Sequence, residues 1–219
     1  SVQLEDSRAE VSRLLHSHAQ SQAQLAALTR EAELLRLECS SSREAAQQWA
    51  QSREQKEAEL RRLDAERAGL AAELRERLTR IPEDDLEQQM EALRHFKLAH
   101  RLRVAASEIA GTLPLMKVSD YLTWLAEAIL EQVLALAWRQ TVSKYGAPQR
   151  ADGSQCDPDF IIVGYGKVGG IELGHGSDLD LVFIHDGDPL AETDGAKPID
   201  CAQFLPRLGQ RIIHLLTAQ

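Results

Sequence analysis

The chain has 219 residues, enough for one or two domains, with a hydrophobic content of 43% and a charged content of 27% that are ordinary for a soluble protein. Its formal net charge of −9 argues against nucleic acid as a main partner, because phosphate contacts need a basic surface. No apolar run approaches the ~20 residues that span a bilayer, no secretion leader opens the chain, and the cysteines form no Cys-x-x-Cys pair, so we expect a cytoplasmic protein without a membrane contact.

Residues 1–68 contain no helix breaker, because every glycine lies at Gly69 or later and every proline at Pro82 or later. The segment is rich in Ala, Leu, Glu, Gln and Arg, which favour helix. A heptad frame can be written through it, although polar side chains interrupt the middle of the seam. The frame has two core positions. The first is occupied by Leu4, Val11, Leu25, Ala32, Ala46 and Leu60, and the second by Leu14, Leu28, Leu35, Trp49 and Leu63. We therefore predict a long helix or self-associating coiled coil, with an antiparallel hairpin turning near residues 39–42 as the alternative.

The next stretch of the chain has the pattern of two helices. Pro82 and the acidic residues after it predict a helix start, since proline suits a first turn and acidic side chains suit the positive end of the helix dipole. Gly111 predicts the end of this helix. A second helix is expected from Ser119 as N-cap to a stop at Gly146. The basic run at residues 94–103 is typical of a solvated helix face, with contact to an acidic partner or nucleotide as the alternative.

Beyond a polar linker, the sequence pattern changes from helical to mixed. Apolar runs begin at Phe160 and at Leu179, and each predicts a strand. A final amphipathic helix is expected to start near Pro206, because proline belongs in a first turn. The whole pattern predicts a mainly helical α+β protein.

A glycine-rich turn joins the two predicted strands and precedes a pair of acidic residues. Glycines let the main chain approach phosphate oxygens, and their N–H groups can form an anion-binding nest. Asp178 and Asp180 are two apart in an extended run, so both side chains leave the same face of the strand. Two carboxylates on one face repel each other, and a hard divalent cation relieves that repulsion. The pattern predicts the front half of a nucleotidyl-transfer site, with a triphosphate on the turn and Mg²⁺ on the carboxylates.

Three other interpretations of this stretch compete with that site. Gly164-x-Gly166-x-x-Gly169 also fits the dinucleotide-binding pattern, but the nine residues between Gly169 and Leu179 are too few for a crossover helix. Lys167 is not followed by the Ser or Thr of a P-loop. The remaining alternative is a polar turn followed by a solvent-facing strand, although Asp is disfavoured in strands and two of them in an apolar run need a reason.

Several blocks of the sequence occur in the order found in a known family. They are Leu86-Glu-Gln-Gln-Met-Glu-Ala-Leu-Arg-His-Phe-Lys, Leu115-Met-Lys-Val-Ser-Asp-Tyr-Leu, Gly164-Tyr-Gly-Lys-Val-Gly-Gly-Ile-Glu-Leu and Gly176-Ser-Asp-Leu-Asp-Leu-Val-Phe-Ile-His-Asp. Together they resemble the bifunctional glutamine synthetase adenylyltransferases of bacterial nitrogen regulation, most closely the C-terminal, adenylylating half. The resemblance covers roughly residues 65–219. Residues 1–64 do not share it, and we interpret them as a segment joined by engineering or gene fusion.

The resemblance implies a fold, a set of ligands and the roles of particular residues. It implies part of a DNA-polymerase-β-like nucleotidyltransferase domain that uses ATP and Mg²⁺. Asp178 and Asp180 would be the catalytic metal ligands. The residues that would face the ATP phosphates are Lys167, Gly169, Gly170 and Ser177. The expected organisation is a long helix or coiled coil over residues 1–80, a helical segment over residues 81–146 and the partial nucleotidyltransferase domain over residues 147–219.

The family also implies a reaction and its partners. AMP would pass from ATP to a tyrosine of glutamine synthetase, and a regulatory signalling protein would be a further partner. In the family a third carboxylate lies in an Asp-x-Arg-Leu-Arg-Pro block, which this sequence lacks, so we expect little or no transfer by the 219-residue chain. The alternative function is a coiled-coil interaction or oligomerisation protein that carries an inactive nucleotidyltransferase fragment.

Overall fold

The computed structural model describes the backbone of residues 2–217 and the side chains of residues 10–217. Its architecture is mainly helical α+β, which confirms the predicted fold class. The helices are α1 (Val2–Thr79), α2 (Leu86–Ile109), α3 (Leu115–Tyr145), α4 (Gly166–Gly169) and α5 (Cys201–Thr217). The strands are β1 (Phe160–Tyr165) and β2 (Asp180–His185).

The residues divide into two compact units, with the division between Arg62 and Leu63. In the first unit, every side chain of residues 10–62 is exposed, and the stretch is helical throughout. The hairpin alternative near residues 39–42 is therefore wrong. Ion pairs such as Arg53–Glu57, at 3.4 Å, support this helix along its own surface. Among the described residues, no helix is both long enough and apolar enough to cross a bilayer.

The second unit is built around one large apolar cluster. α3 packs against both α2 and α5, and the end of α1 adds the fully buried Leu74. In α5 the apolar positions recur every three or four residues, which places them on one face of the helix. The fully buried members of the cluster include Leu93, Phe96, Val133, Phe204, Leu208, Ile212 and Leu215. Salt bridges from α1 to α3 join Arg67 to Glu127 at 2.9 Å and Arg75 to Glu131 at 2.7 Å.

α2 begins later than predicted, and its end was predicted correctly. It begins at Leu86, and the Asp85 side chain caps it by accepting a hydrogen bond from the Gln88 N–H at 3.0 Å. The predicted start at Pro82 is wrong, because this residue lies in the turn before the cap. In that turn the Pro82 carbonyl accepts a hydrogen bond from the Asp85 N–H at 3.1 Å. The predicted stop at Gly111 is confirmed, and its φ of 69° is one that glycine adopts without strain.

α3 and α5 both begin earlier than their predicted starts. α3 begins at Leu115, so Ser119 lies inside the helix and is not its N-cap, while the stop at Gly146 is confirmed with a φ of 85°. α5 begins at Cys201, so Pro206 lies within the helix and not in its first turn. In both cases apolar residues before the expected start are packed against the core, and this burial extends the helix.

β1 and β2 form a two-stranded antiparallel sheet with the register Phe160↔His185 through Tyr165↔Asp180. The predicted start of the first strand is confirmed, and the second starts one residue after the predicted Leu179. Phe160 and Phe183 face the core, where their rings lie 5.4 Å apart. The alternate residues form the other, exposed face, and Tyr165 and Asp180 lie at its end. The sheet therefore presents an acidic side chain to solvent beside the glycine-rich turn.

Candidate functional site

The glycine-rich turn after β1 folds the main chain tightly back on the end of the strand. Gly166 opens α4 with a φ of 56°, in the left-handed region where side chains other than glycine are strained. A Cβ at Gly169 would lie 2.5 Å from the carbonyl oxygen of Gly164, closer than a carbon atom can approach. The N–H of Gly170 donates to the carbonyl of Gly166 at 3.0 Å and closes the turn. Glycine is thus required at positions 166 and 169 by the backbone itself.

Asp180 lies directly against this turn. It is the first residue of β2 and pairs with Tyr165, the last residue of β1. A Cβ at Gly166 would lie 2.5 Å from Oδ2 of Asp180, so the carboxylate occupies the space that the glycine leaves open. The structure therefore brings together the glycine-rich turn and one of the two predicted metal ligands.

Asp178 lies just before β2, outside the strand in which it was predicted, but on the same side of the chain as Asp180. Both Asp residues are exposed, while Leu179 and Leu181 between and after them are half-buried and pack in a small cluster with Val168 of α4. This alternation is that of an extended chain with one face on the core. The predicted common face of the two carboxylates thus agrees with their pattern of burial.

The two carboxylates are open to a cation. Among the described residues, neither the Asp178 nor the Asp180 side chain forms a salt bridge or accepts a hydrogen bond. Exposed carboxylate oxygens without basic partners are the hard ligands that Mg²⁺ prefers, and Mg²⁺ is commonly held by one or two of them together with phosphate oxygens and water. The donor set therefore fits the ion. Within the described part of the chain, no group of three or more His, Cys, Asp or Glu side chains is placed to hold a metal.

The other predicted site residues occupy two different places. Lys167 and Gly170 are exposed on α4 and the turn after it, next to Gly169. Ser177 closes a separate turn: its Oγ accepts from the Gly174 N–H at 2.9 Å, and its own N–H donates to the Gly174 carbonyl at 3.1 Å. Ser177 is half-buried and so lies on the side of the chain opposite to the two carboxylates.

Residues of α2 that hold the loop before β2 were not assigned to the site by the sequence. Arg101 donates through Nη2 to the His175 carbonyl, and the His175 ring pairs with Glu108 at 2.9 Å. Both contacts join parts of the chain more than 60 residues apart, by separations of 74 and 67. The basic run in α2 was the only sequence signal for Arg101, and it is equally typical of a solvated helix face. These contacts fix the loop that carries Asp178.

Comparisons with known proteins point to one family. A family model described as glutamate-ammonia ligase adenylyltransferase matches residues 9–219. Three relatives carry the name bifunctional glutamine synthetase adenylyltransferase/adenylyl-removing enzyme. The one from Pseudomonas putida is 86% identical over 150 residues, which are 68% of this chain and 15% of the relative. The one from Pseudomonas aeruginosa is 82% identical over 152 residues (69% and 16%), and the one from Hahella chejuensis is 58% identical over 150 residues (68% and 16%).

The extent of these matches bears on the predicted limits of the resemblance. The chain spans about 15% of the length of the Pseudomonas putida relative. The length of the matches to the relatives, 150 to 152 residues in these three, is close to that of the predicted stretch, residues 65–219. The family model, however, begins at residue 9 and takes in most of residues 1–64, so it gives no support to a boundary at residue 64. The fusion interpretation of that segment stays a hypothesis.

Proposed function

This chain belongs to the glutamate-ammonia ligase adenylyltransferase family, and from this premise we propose that its second unit forms part of a Mg–ATP site for AMP transfer to glutamine synthetase. The observation that carries the proposal is the contact between the Asp180 carboxylate and the glycine-rich turn at Gly166. A glycine-rich turn whose main chain can approach phosphate oxygens and a carboxylate that can bind a cation lie side by side there. A nucleoside triphosphate with its metal needs both.

Each part of this arrangement has a proposed task. Asp178 and Asp180 would bind the metal, and when bound, Mg²⁺ supplies charge neutralisation for the transferring phosphoryl group and the departing pyrophosphate. Gly169 and Gly170 would let the main chain approach the phosphate oxygens, with the Lys167 ammonium beside them, while the Gly170 N–H stays on the Gly166 carbonyl. Ser177 would hold the turn that precedes Asp178, because its Oγ accepts the Gly174 N–H.

The proposed reaction is an in-line displacement at the α-phosphorus of ATP. The hydroxyl oxygen of a tyrosine of glutamine synthetase forms the new bond to phosphorus, the bond to the β-phosphate oxygen breaks, and pyrophosphate leaves while the phenolic proton passes to water. Catalysis of this kind depends on positioning and electrostatic stabilisation more than on a reactive side chain. We place the reaction in the cytoplasm, with a regulatory signalling protein as a further partner.

We expect the 219-residue chain to bind ATP in a Mg²⁺-dependent manner while transferring little or no AMP. The reason is that two carboxylates and the phosphate-binding turn suffice for weak binding, whereas transfer also needs the acceptor hydroxyl to be oriented. Calorimetric titration of ATP, with Mg²⁺ and then with excess EDTA, measures the first property. Incorporation of labelled AMP into glutamine synthetase, compared with a longer relative, measures the second.

The two measurements separate the two parts of the proposal. ATP binding of equal strength in Mg²⁺ and in EDTA would contradict the proposed site. Labelling of glutamine synthetase at a rate near that of the longer relative would leave the site intact and contradict the expected impairment.

A second candidate function, self-association through the first unit, is favoured by its exposed seam. Leu14, Leu28, Leu35 and Trp49 recur at multiples of seven residues, and each is more than half exposed. Val11, Leu25 and Leu60 give the second seam position in the same way, while Leu4 lies outside the described side chains. A helix with an exposed heptad seam buries it by pairing with another helix, here that of a second copy.

We expect the chain to sediment as a dimer and the double substitution Leu28→Lys/Leu35→Lys to convert it to a monomer. The lysine charges would have to be buried in the paired seam, and the free energy of burying them exceeds the free energy gained from pairing. The matched control is Leu34→Lys/Leu37→Lys. These two leucines lie outside the seam, and their exposed fractions are 65% and 66%. Sedimentation equilibrium decides: a monomeric wild-type chain, or equal masses for both variants, would rule out this candidate.

A further inference from the structure

A cavity of ≈ 180 Å³ in the second unit is distinct from the surface that carries the two carboxylates. It lies between α2, α3 and the loop before β2. Its apolar walls come from α3, the loop and the end of α5. They comprise Leu122, Leu125, Ala126, Ile129, Leu173, Leu179 and Leu216. Two cationic side chains of α2, Lys97 and Arg101, also line it.

The two cations are not neutralised by the protein around them. No Asp or Glu is among the described residues that line the cavity. Lys97 is half-buried and, in the described part of the chain, makes no salt bridge or hydrogen bond through its ammonium. Arg101 is fixed beside it by the His175 carbonyl, and the nearby Glu108 is already paired with His175. Two partly buried like charges repel each other, and an anion between them relieves that repulsion.

The electrostatic state of Lys97 agrees with this description. Burial, and then the positive charge of Arg101, lower the pKa of the Lys97 ammonium below its ordinary value. By contrast, two arginines of the same unit have carboxylate partners: Arg75 pairs with Glu131 at 2.7 Å and Arg150 with Asp159 at 2.5 Å. The cavity is thus a place where the unit leaves positive charge uncompensated against apolar walls.

The cavity is behind the two carboxylates and, apart from Ser177, is lined by none of the residues proposed to bind Mg–ATP. Leu179 lines the cavity, whereas Asp178 and Asp180 on either side of it are exposed on the opposite side of the extended chain. A molecule in the cavity would contact the back of the segment that carries the carboxylates.

We propose that the cavity binds a small organic carboxylate, whose apolar body packs against α3 and whose carboxylate pairs with Lys97 and Arg101. The apolar walls favour a hydrocarbon body, and the adjacent cations favour a single anionic head. An apolar cavity of about 150 Å³ holds a molecule the size of benzene, so a body of about six carbon atoms fits the volume here. This proposal goes beyond the nucleotide site and does not depend on it.

The test compares two probes of the same shape, 4-methylpentanoate and its neutral amide, in calorimetric titrations of the full 219-residue chain without ATP. We expect the carboxylate to bind and the amide to bind at least about tenfold more weakly, since only the carboxylate gains charge-assisted hydrogen bonds. The variant Lys97→Met keeps the aliphatic stem and should lower carboxylate affinity by about tenfold. The control Arg103→Gln removes one positive charge from an exposed position of the same helix and should leave the affinity unchanged.

A second variant tests the proposal independently, in case Lys97→Met does not fold. Ala126→Leu places extra methyl groups into the cavity from α3 and should abolish binding of both probes while leaving the two cations in place. Equal affinities for the carboxylate and the amide, no binding of either probe, or binding that survives Ala126→Leu would each overturn the proposal.

Discussion

Replacing Asp178 and Asp180 together by asparagine is expected to abolish the Mg²⁺-dependent part of ATP binding. Asparagine has nearly the shape of aspartate but offers a neutral carbonyl in place of a carboxylate, so the two substitutions remove the anionic ligands and keep the volume. Loss of groups that only support a ligand weakens metal binding by 10- to 100-fold, so we expect a loss of about 100-fold or more here. Titration of ATP at a fixed excess of Mg²⁺ measures it.

The control for this substitution neutralises a different aspartate, beyond the other end of β2. Asp186 is exposed and follows His185, so it lies roughly 20 Å along β2 from Asp180 at the usual rise of a strand. Asp186→Asn should leave ATP affinity unchanged. The fold should persist in all variants, because neither Asp178 nor Asp180 pairs with another described side chain. Mg²⁺-dependent ATP binding that survives the double substitution would remove the carboxylates from the proposed site.

Local chemistry accounts for those parts of the fold that the sequence predicted correctly. Gly111 and Gly146 were predicted to end helices, and both have the positive φ that glycine adopts easily. The strand starting at Phe160 was predicted from its apolar run, which the core does bury on one face. Each of these features is determined by residues within a few positions in the chain.

The wrong helix starts have a different origin, because tertiary packing decided them. Ser119 and Pro206 are both good residues for the beginning of a helix, and the sequence pattern alone favours them. In the structure, Val118 lies before Ser119 and Cys201, Phe204 and Leu205 lie before Pro206, and all four are buried. Their burial stabilises an extra turn of helix that local preference does not predict.

The candidate site divides in the same way. The glycine-rich turn and the common face of the two carboxylates follow from residue type and spacing, so they were predictable. The cavity behind them was not, because Lys97 and Arg101 come from α2 and meet the loop at His175 only in the folded chain. A basic run on a helix has the same pattern whether it faces solvent or a cavity.

Substituting Gly166 by alanine is expected to weaken both the fold and the proposed Mg–ATP site. The φ of 56° at this position costs a residue with a Cβ about 1–2 kcal/mol, and we expect a decrease of that size in the free energy of unfolding. The new Cβ would also lie 2.5 Å from Oδ2 of Asp180. The carboxylate must therefore rotate away from the turn, and ATP binding in Mg²⁺ should fall with it.

The nearby Gly176 provides the matched control, because a Cβ there meets no atom within 4 Å and its φ is not positive. Gly176→Ala should change the free energy of unfolding by less than about 1 kcal/mol, since it only restricts the unfolded chain. Urea unfolding followed by tryptophan fluorescence reports the second unit, where Trp124 is buried, whereas Trp49 of the first unit is 77% exposed. If Gly166→Ala bound ATP as tightly as Gly176→Ala, the position of the Asp180 carboxylate against the turn would have no part in nucleotide binding. If binding fell only for Gly166→Ala, at a temperature where both variants are folded, the loss would come from displacement of that carboxylate and not from unfolding.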